Sequence, residues 1–249
     1  MKLRLKRRAR DYPLSLYLTP NVFFVPLSAR ELASIIDYAV LKPEATLNEL
    51  KEACRLAKKH GFAALCVNTY YVGYIAKLLE GSEVKVCAAV GFPLGSSLTE
   101  VKIKEAEEAV KRGAQEVDFV ANIGLIKSGE LEEALKDVEQ VVEAAKRRGA
   151  EAVKVIVEVG LLNSEERRIA CRIVEESGAD FIKTCTGFSA CRATPEDVRE
   201  IKRLAPKLKI KASGGIRSLS QVEELLRAGA SRIGTSHAPE IMVQAGQLK

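Results

Sequence analysis

Two stretches carry the reading of this chain: Gly113-Ala114-Gln115-Glu116-Val117-Asp118-Phe119-Val120-Ala121, and Gly149-Ala150-Glu151-Ala152-Val153-Lys154-Val155-Ile156-Val157. In each, a glycine at the end of a helical stretch gives way within a few residues to a short β-rich apolar run. Between them Leu131, Leu135, Val138, Val141, Val142 and Ala145 recur at helical spacing. Glycine takes the left-handed position after a helix at little cost, and proline cannot continue one. Working outward, the pattern repeats: Gly61 precedes residues 64–67, Gly81 precedes 84–90, and Gly178 precedes 181–183. Pro206 precedes 208–212 and Gly229 precedes 232–234, while the run that begins at Gly149 is predicted to stay extended over 153–159. Helix starts are marked too. Thr46-x-x-Glu49, Ser97-x-x-Glu100 and Ser218-x-x-Gln221 read as capping boxes, and Thr194-Pro195 as an N-cap followed by proline at the first helical position.

With residues 36–41 as a first strand, the alternation gives eight strands, each followed by a helix. The strands are mostly continuous apolar runs, as expected of a parallel sheet covered by helices. Eight such units in 249 residues fit a single TIM (β/α)8 barrel, an α/β fold. An open doubly wound sheet shares most of these signs, but no GxGxxG follows the first strand. The barrel is predicted over residues 28–249, with residues 1–27 as a basic and apolar N-terminal extension.

Composition narrows the function classes. The chain is 47% hydrophobic and 29% charged, typical of a globular protein, and no apolar run is long enough for a transmembrane helix. The net charge of +6 is local: Lys2, Arg4, Lys6, Arg7, Arg8 and Arg10 crowd the start, and the remaining 33 of the 39 basic residues balance 33 acidic ones. A neutral body argues against a broad nucleic-acid surface. Asp11, Pro13, Pro20 and Pro26 interrupt the extension, so it reads as a charged tail rather than a signal peptide. The six cysteines form no CxxC pair, and His60 and His237 lack ligand spacing to any of them. A reduced, cytoplasmic protein without structural zinc is expected. The abundance of charge and the absence of Trp suggest a heat-resistant one.

Five charged residues interrupt the apolar runs: Asp37, Asp118, Lys154, Lys183 and Lys211. Any one alone reads as a strand-end charge reaching solvent, or as half of a satisfied ion pair. Three lysines and two aspartates directed into one barrel read as a functional cluster, because removing charges from water is costly. Lys183 and Lys211 fall on strands that would be neighbours about 4.8 Å apart. Two ammonium groups roughly 5 Å apart repel by about 3 kcal/mol at an effective dielectric near 20. That repulsion is expected to keep one amine partly neutral, as attack on a carbonyl requires, with Asp118 nearby to shuttle a proton. Thr186-Gly187 after the sixth run, Ser213-Gly214-Gly215 after the seventh and Gly234-Thr235-Ser236 after the eighth stand where such barrels bind phosphate. A small phosphorylated aldehyde or ketone is the substrate class these residues suggest.

Six segments carry a family resemblance: residues 41–46 (LKPEAT), 90–95 (VGFPLG), 116–120 (EVDFV), 153–158 (VKVIVE), 179–184 (ADFIKT) and 211–217 (KASGGIR). On them the chain resembles the deoxyribose-phosphate aldolases, a class I, Schiff-base-forming family with a TIM-barrel fold, from about Asp37 to Ser236. The resemblance implies reversible cleavage of 2-deoxy-D-ribose 5-phosphate to D-glyceraldehyde 3-phosphate and acetaldehyde. It implies Lys183 as the Schiff-base lysine, Lys211 as the residue that tunes it and assists proton transfer, and Asp118 as proton relay. Asp37 and Lys154 would belong to the supporting network, while Thr186, Gly187, Gly214, Gly215 and Ser236 would hold the substrate phosphate. No metal or organic cofactor is implied, nor any nucleic-acid or membrane partner, and a homodimer or homotetramer is.

The chain departs from the family in three places. Tyr38-Ala39 stands where a polar pair is usual, Ser236-His237 replaces Ser-Ser, and residues 189–193 (Ser-Ala-Cys-Arg-Ala) replace a glycine-rich stretch. Arg192 and His237 read by default as solvated loop residues. Two alternatives stand beside this reading. One is a sister Schiff-base aldolase for another phosphorylated sugar; the other is a non-catalytic barrel that binds through its basic arm.

Overall fold

Parallel pairing runs unbroken around the molecule, from β1 through β8 and back to β1, in sequence order. The computed structural model describes residues 27–246, so all but the last residue of the predicted extension lies outside them. The strands are β1 (Ile36–Val40), β2 (Ala64–Asn68), β3 (Lys85–Val90), β4 (Glu116–Val120), β5 (Ala152–Ile156), β6 (Phe181–Lys183), β7 (Lys209–Ser213) and β8 (Arg232–Thr235). A short helix α1 (Ala29–Ala33) precedes β1, and α2 (Leu47–His60), α3 (Val72–Leu79) and α4 (Thr99–Lys111) follow the first three strands. Two helices follow β4, α5 (Ile123–Ser128) and α6 (Leu131–Arg147). Then come α7 (Ser164–Glu176), α8 (Pro195–Leu204), α9 (Leu219–Ala228) and α10 (Ala238–Gln244). The closed barrel and its eight strands are as the sequence predicts.

Local chemistry accounts for most boundaries. Thr46, Thr194 and Ser218 cap α2, α8 and α9 through reciprocal capping boxes, and Gly61 and Gly229 end α2 and α9 in left-handed conformations. Asn163–Glu166 and Ser28–Glu31 form two further boxes that the sequence reading passed over. The predicted box at Ser97–Glu100 does not form. Helix α4 starts at Thr99 behind Leu98 without a side-chain cap, and the Thr99 hydroxyl donates instead to Asp137 Oδ1 at 2.8 Å. β5 is shorter than predicted because Glu158 turns the chain left-handed, with φ 47°, into a single 3-10 turn at Val159–Leu161. On α6, Val138, Val141, Val142 and Ala145 are buried as the spacing predicts, whereas Leu131, at the first position of the helix, is exposed.

Burial divides into an outer layer and a lumen. The main core lies between strands and helices, with Leu50, Ile75, Ala106, Val141, Val174, Val198 and Val222 packed onto the sheet. The lumen holds a separate small apolar group of Leu41, Ala64, Cys66, Cys87 and Ala89, on and just after β1 to β3. The opposite half, β4 to β8, sends long charged side chains inward. Small residues on one wall thus leave room for large ones from the other.

Among the described residues, one ion pair with both side chains buried lies outside the lumen. Lys102 of α4 donates to Asp137 of α6 at 2.5 Å and to the Gly95 carbonyl at 3.1 Å. Both side chains are buried, so the pair fastens two adjacent helices and the loop after β3. Lys102→Met should destabilise the fold by about 3–5 kcal/mol, because it strands a buried carboxylate. Lys102→Met/Asp137→Leu should recover most of that loss; urea unfolding at pH 7 measures both.

Candidate active site

β4 places Glu116 and Asp118 two residues apart, so both face the lumen. Register then sets Asp118 beside Lys154, Ile156 beside Lys183, and Lys183 beside Lys211. Asp118 is the centre of what results. Its Oδ1 accepts hydrogen bonds from Lys154 Nζ at 2.9 Å and from the Cys87 thiol at 3.1 Å. Its Oδ2 accepts from Lys183 Nζ at 2.8 Å and Lys211 Nζ at 2.7 Å. Lys211 also donates to Asp37 Oδ2. Lys154 donates to Glu116 Oε2 at 2.6 Å, and Arg232 spans Asp37 at 2.8 Å and Glu116 at 3.4 Å. All five charged residues singled out in the sequence meet here. The sequence reading missed Glu116 and Arg232, although Glu116 lies two residues before Asp118 on the same strand face.

Electrostatics keeps Asp37, Asp118, Lys154 and Lys211 ionised. Burial alone would raise the Asp118 carboxyl, but Lys154, Lys183 and Lys211 outweigh it and hold the group well below the usual carboxylate range. Asp37 behaves likewise, with Lys211, Lys154 and Arg232 overcoming its burial. Burial would lower Lys211, yet Asp118 and Asp37 hold its ammonium above the ordinary lysine range. Burial would lower Lys154 too, and Asp118, Cys87, Asp37 and Glu116 raise it well above that range. The bare Lys183–Lys211 repulsion expected from sequence is therefore not what the lumen contains, because one carboxylate oxygen bridges the two ammonium groups. Lys183 differs from its neighbours in having that oxygen as its only ion-pair partner within 4 Å among the described residues. Lys211 and Lys154 each face two carboxylates or more.

Above the network opens a cleft of about 930 Å³. Lys183, Lys211 and Cys66 contribute to its floor, while Asp37, Asp118 and Lys154 lie fully buried beneath. Thr186, Gly187, Gly214, Gly215 and Ser236 line one side, so the structure gathers every predicted phosphate-loop residue on the same cleft. Gly214 (φ 106°) and Gly215 (φ 73°) adopt left-handed backbone, and among the described residues the amides of Gly187, Gly214 and Gly215 donate to no other protein group. Amides arranged this way suit an anion. Gly234 serves a different need: a Cβ there would stand 2.9 Å from Lys211 Cε and 3.0 Å from Ser213 Cβ. Tyr38, Arg192 and His237 also line the cleft. Arg192 is exposed as expected, but it is not free: its guanidinium donates to the Ser189 and Cys191 carbonyls at 3.0 and 2.8 Å, and its stem covers Gly215.

The loop after β6 is fastened from two sides. Glu158 accepts from the Thr186 amide at 2.9 Å and the Ser189 hydroxyl at 2.7 Å. Cys185 and Cys191 are joined as a disulfide, which corrects the expectation that the cysteines are reduced. The loop folds back on itself and brings their Cα atoms to 6.0 Å, a separation a disulfide spans; no sequence spacing reveals that. Cys54, Cys66, Cys87 and Cys171 are free and buried. Phe92, which sequence reasoning passed over, lies 5.9 Å from Lys183 Nζ and packs edge-on against Phe188.

Lys154→Met should cost about 3–5 kcal/mol at pH 7, since Glu116 and Asp118 lose a shared buried partner. The Asp118 carboxyl is depressed in the fold, so its contribution is present above about pH 4 and lost as pH falls below it. Urea titrations between pH 3 and 8 should therefore show the deficit shrinking at the acid end.

Comparison with known proteins fits this geometry. The sequence profile of the DeoC/LacD family aldolases matches residues 31–238. The chain is 46% identical over 218 residues to a deoxyribose-phosphate aldolase of Carboxydothermus hydrogenoformans, covering 87% of this chain and 96% of that protein. It is 48% identical over 212 residues to a protein of the same name from Desulfitobacterium hafniense, covering 85% and 97%. Among solved structures, a tetrameric deoxyribose phosphate aldolase from Aeropyrum pernix superposes with a TM-score of 0.83 at 35% identity, over 89% of this chain and 94% of that one. With a matching profile across most of its length and close relatives in both sequence and fold, the chain belongs to the DeoC/LacD family of aldolases.

Proposed function

We propose that the chain is a class I aldolase that reversibly cleaves 2-deoxy-D-ribose 5-phosphate to D-glyceraldehyde 3-phosphate and acetaldehyde through a Schiff base on Lys183. The observation that carries this reading is the asymmetry of the two neighbouring lysines. Lys183 reaches the cleft with Asp118 as its single ion-pair partner, whereas Lys211 is held by both Asp118 and Asp37. Carboxylate contacts stabilise an ammonium, and a neutral amine is the nucleophile, so the attack is assigned to the lysine with a single such contact.

The chemistry is then assigned as follows. Neutral Lys183 Nζ attacks the C1 carbonyl of the open-chain sugar, and loss of water from the carbinolamine leaves an iminium. The iminium draws electrons from the C2–C3 bond as the C3 hydroxyl loses its proton; C3 leaves as the aldehyde of glyceraldehyde 3-phosphate, and C1–C2 remains as an enamine on Lys183. Protonation at C2 and hydrolysis release acetaldehyde and restore the amine. Asp118 and Lys211, 2.7 Å apart, relay the protons. Because Asp118 is a carboxylate at rest, it accepts first, and the proton it returns is the one it gained. Asp37 and Lys154 support the pair. Thr186, Gly187, Gly214, Gly215 and Ser236 hold the phosphate, partly through backbone amides. Residues 28–249 are assigned as the catalytic barrel, with the extension 1–27 outside its chemistry.

The names of the relatives support the sugar phosphate assigned here. The proposal extends to a homodimer or homotetramer, in keeping with the tetrameric relative from Aeropyrum pernix. It also extends to a cytoplasmic location, where disulfides such as Cys185–Cys191 persist in heat-adapted organisms. No helix among the described residues is long and apolar enough to cross a membrane.

Borohydride added with 2-deoxyribose 5-phosphate or acetaldehyde should fix an alkyl adduct on Lys183, found by peptide mass analysis and absent in Lys183→Ala. The absence of an adduct with either compound would overturn the proposal. Ser236→Ala should raise KM for the sugar phosphate about tenfold with kcat little changed, as expected on losing one hydrogen bond to a charged group that binds ground and transition states alike.

A further inference from the structure

Every strand of the barrel contributes a titratable side chain to the lumen. These are Asp37 on β1, Cys66 on β2, Cys87 on β3, Glu116 and Asp118 on β4, Lys154 on β5, Lys183 on β6, Lys211 on β7 and Arg232 on β8. Cys87 donates its proton to Asp118, and burial holds it as a thiol. Counted over its lysines, arginine and carboxylates, the hydrogen-bonded network holds four cations against three acids. Other charges nearby stand apart from it. Glu158 is satisfied by the Thr186 amide and the Ser189 hydroxyl; Lys209 is exposed over the Phe181 ring; Lys42, Glu44, Arg192 and Arg217 at the rim are solvated.

The excess positive charge has one place to go. Arg232 does not deprotonate under ordinary conditions. Lys154 and Lys211 are each locked between carboxylates, which leaves Lys183 as the group whose proton loss brings the network to balance. The charges that set this excess sit at the other end of the lumen. Glu116 and Arg232 are the first residues of β4 and β8, while Lys183 is the last of β6. Glu116 acts on Asp118 through Lys154, at 2.6 and 2.9 Å, and Arg232 acts through Asp37 and Lys211.

We infer that Glu116 and Arg232 are positioning residues that touch no substrate and set the protonation of Lys183 from the far end of the barrel by fixing the net charge of the buried network. This rests on the Schiff-base reading above and assigns that lysine a remote control. Removing the carboxylate raises the excess and favours neutral Lys183. Removing the guanidinium abolishes the excess and favours the ammonium.

The test is the pH dependence of borohydride trapping with acetaldehyde, read as the midpoint of the acid limb of adduct formation on Lys183. Glu116→Gln should move that midpoint down, and Arg232→Gln should move it up, each by about one and a half pH units, the shift that a unit charge at roughly 7–8 Å produces at an effective dielectric near 20. Glu116→Gln/Arg232→Gln removes one charge of each sign and should return the midpoint to the wild-type value, as should Arg232→Lys. A merely structural role would lower adduct yield without moving midpoints in opposite directions. Shifts of the same sign, no shift in either single variant, or a double variant displaced from wild type would overturn the inference. If one single variant fails to fold, the other still decides the matter: a midpoint moved in its stated direction supports the inference, and an unmoved midpoint overturns it. Failure of the wild type to form any adduct would instead sink the Schiff-base reading.

Discussion

The carboxylate of Asp118 is the constraint on which the lumen depends. Its two oxygens take hydrogen bonds from three lysines and a thiol, with no water-exposed surface of its own. Without that negative charge, three ammonium groups in one dry space would repel pairwise by about 3 kcal/mol at roughly 5 Å and an effective dielectric near 20. Much else about the barrel is arranged around it. Alanine and cysteine on β2 and β3 leave volume for the lysines that cross from the other wall, and Gly234 leaves room for the Lys211 stem.

A buried ionic network of this kind is a poor source of stability, since desolvating each ion costs about what the pairing returns. Stability has to come from elsewhere. The outer layer of aliphatic side chains between strands and helices, the closed ladder of parallel strands and the reciprocal caps provide it. The Lys102–Asp137 pair belongs to that outer framework: it is satisfied by groups of α4, α6 and the loop after β3, and lines no part of the cleft. The lumen network, by contrast, lies under an open cleft, where its cost has a chemical use.

Lys183 and Lys211 show how much partner count matters. They are the same residue type, directly opposite each other in register, and both are nearly inaccessible to solvent. What separates them is Asp37, which reaches Lys211 and not Lys183 within ion-pair distance. One carboxylate thus separates a lysine held by two acids from a lysine held by one, the asymmetry on which the proposed Schiff-base role of Lys183 rests. The loop after β6 adds the second half of the site, with Glu158 and the Cys185–Cys191 bridge shaping the turn that carries Thr186 and Gly187 beside Gly214 and Gly215.

Much of this was legible along the chain. Glycine or proline after each helix, continuous apolar runs and three of the four marked caps are local signals, and local signals sufficed for eight strands in order. Asp37, Asp118, Lys154, Lys183 and Lys211 were legible for a related reason: a charge inside an apolar run is costly, so it stands out wherever it is placed. Contacts were not legible. Glu116 and Arg232 sit at strand starts, where a charge ordinarily reaches water, and only closure of the barrel turns them onto Lys154 and Asp37. The box at Ser97 did not form because α4 begins only at Thr99, with Leu98 in the cap position, β5 ended early because Glu158 turned left-handed, and Cys185 met Cys191 because a loop folded back. The sequence by itself determined the order and kind of the elements, since these follow from interactions within a few residues. Which charges meet, and hence which lysine has a single carboxylate partner, was decided only by the tertiary structure, because Coulombic and hydrogen-bonding partners are set by distance in space.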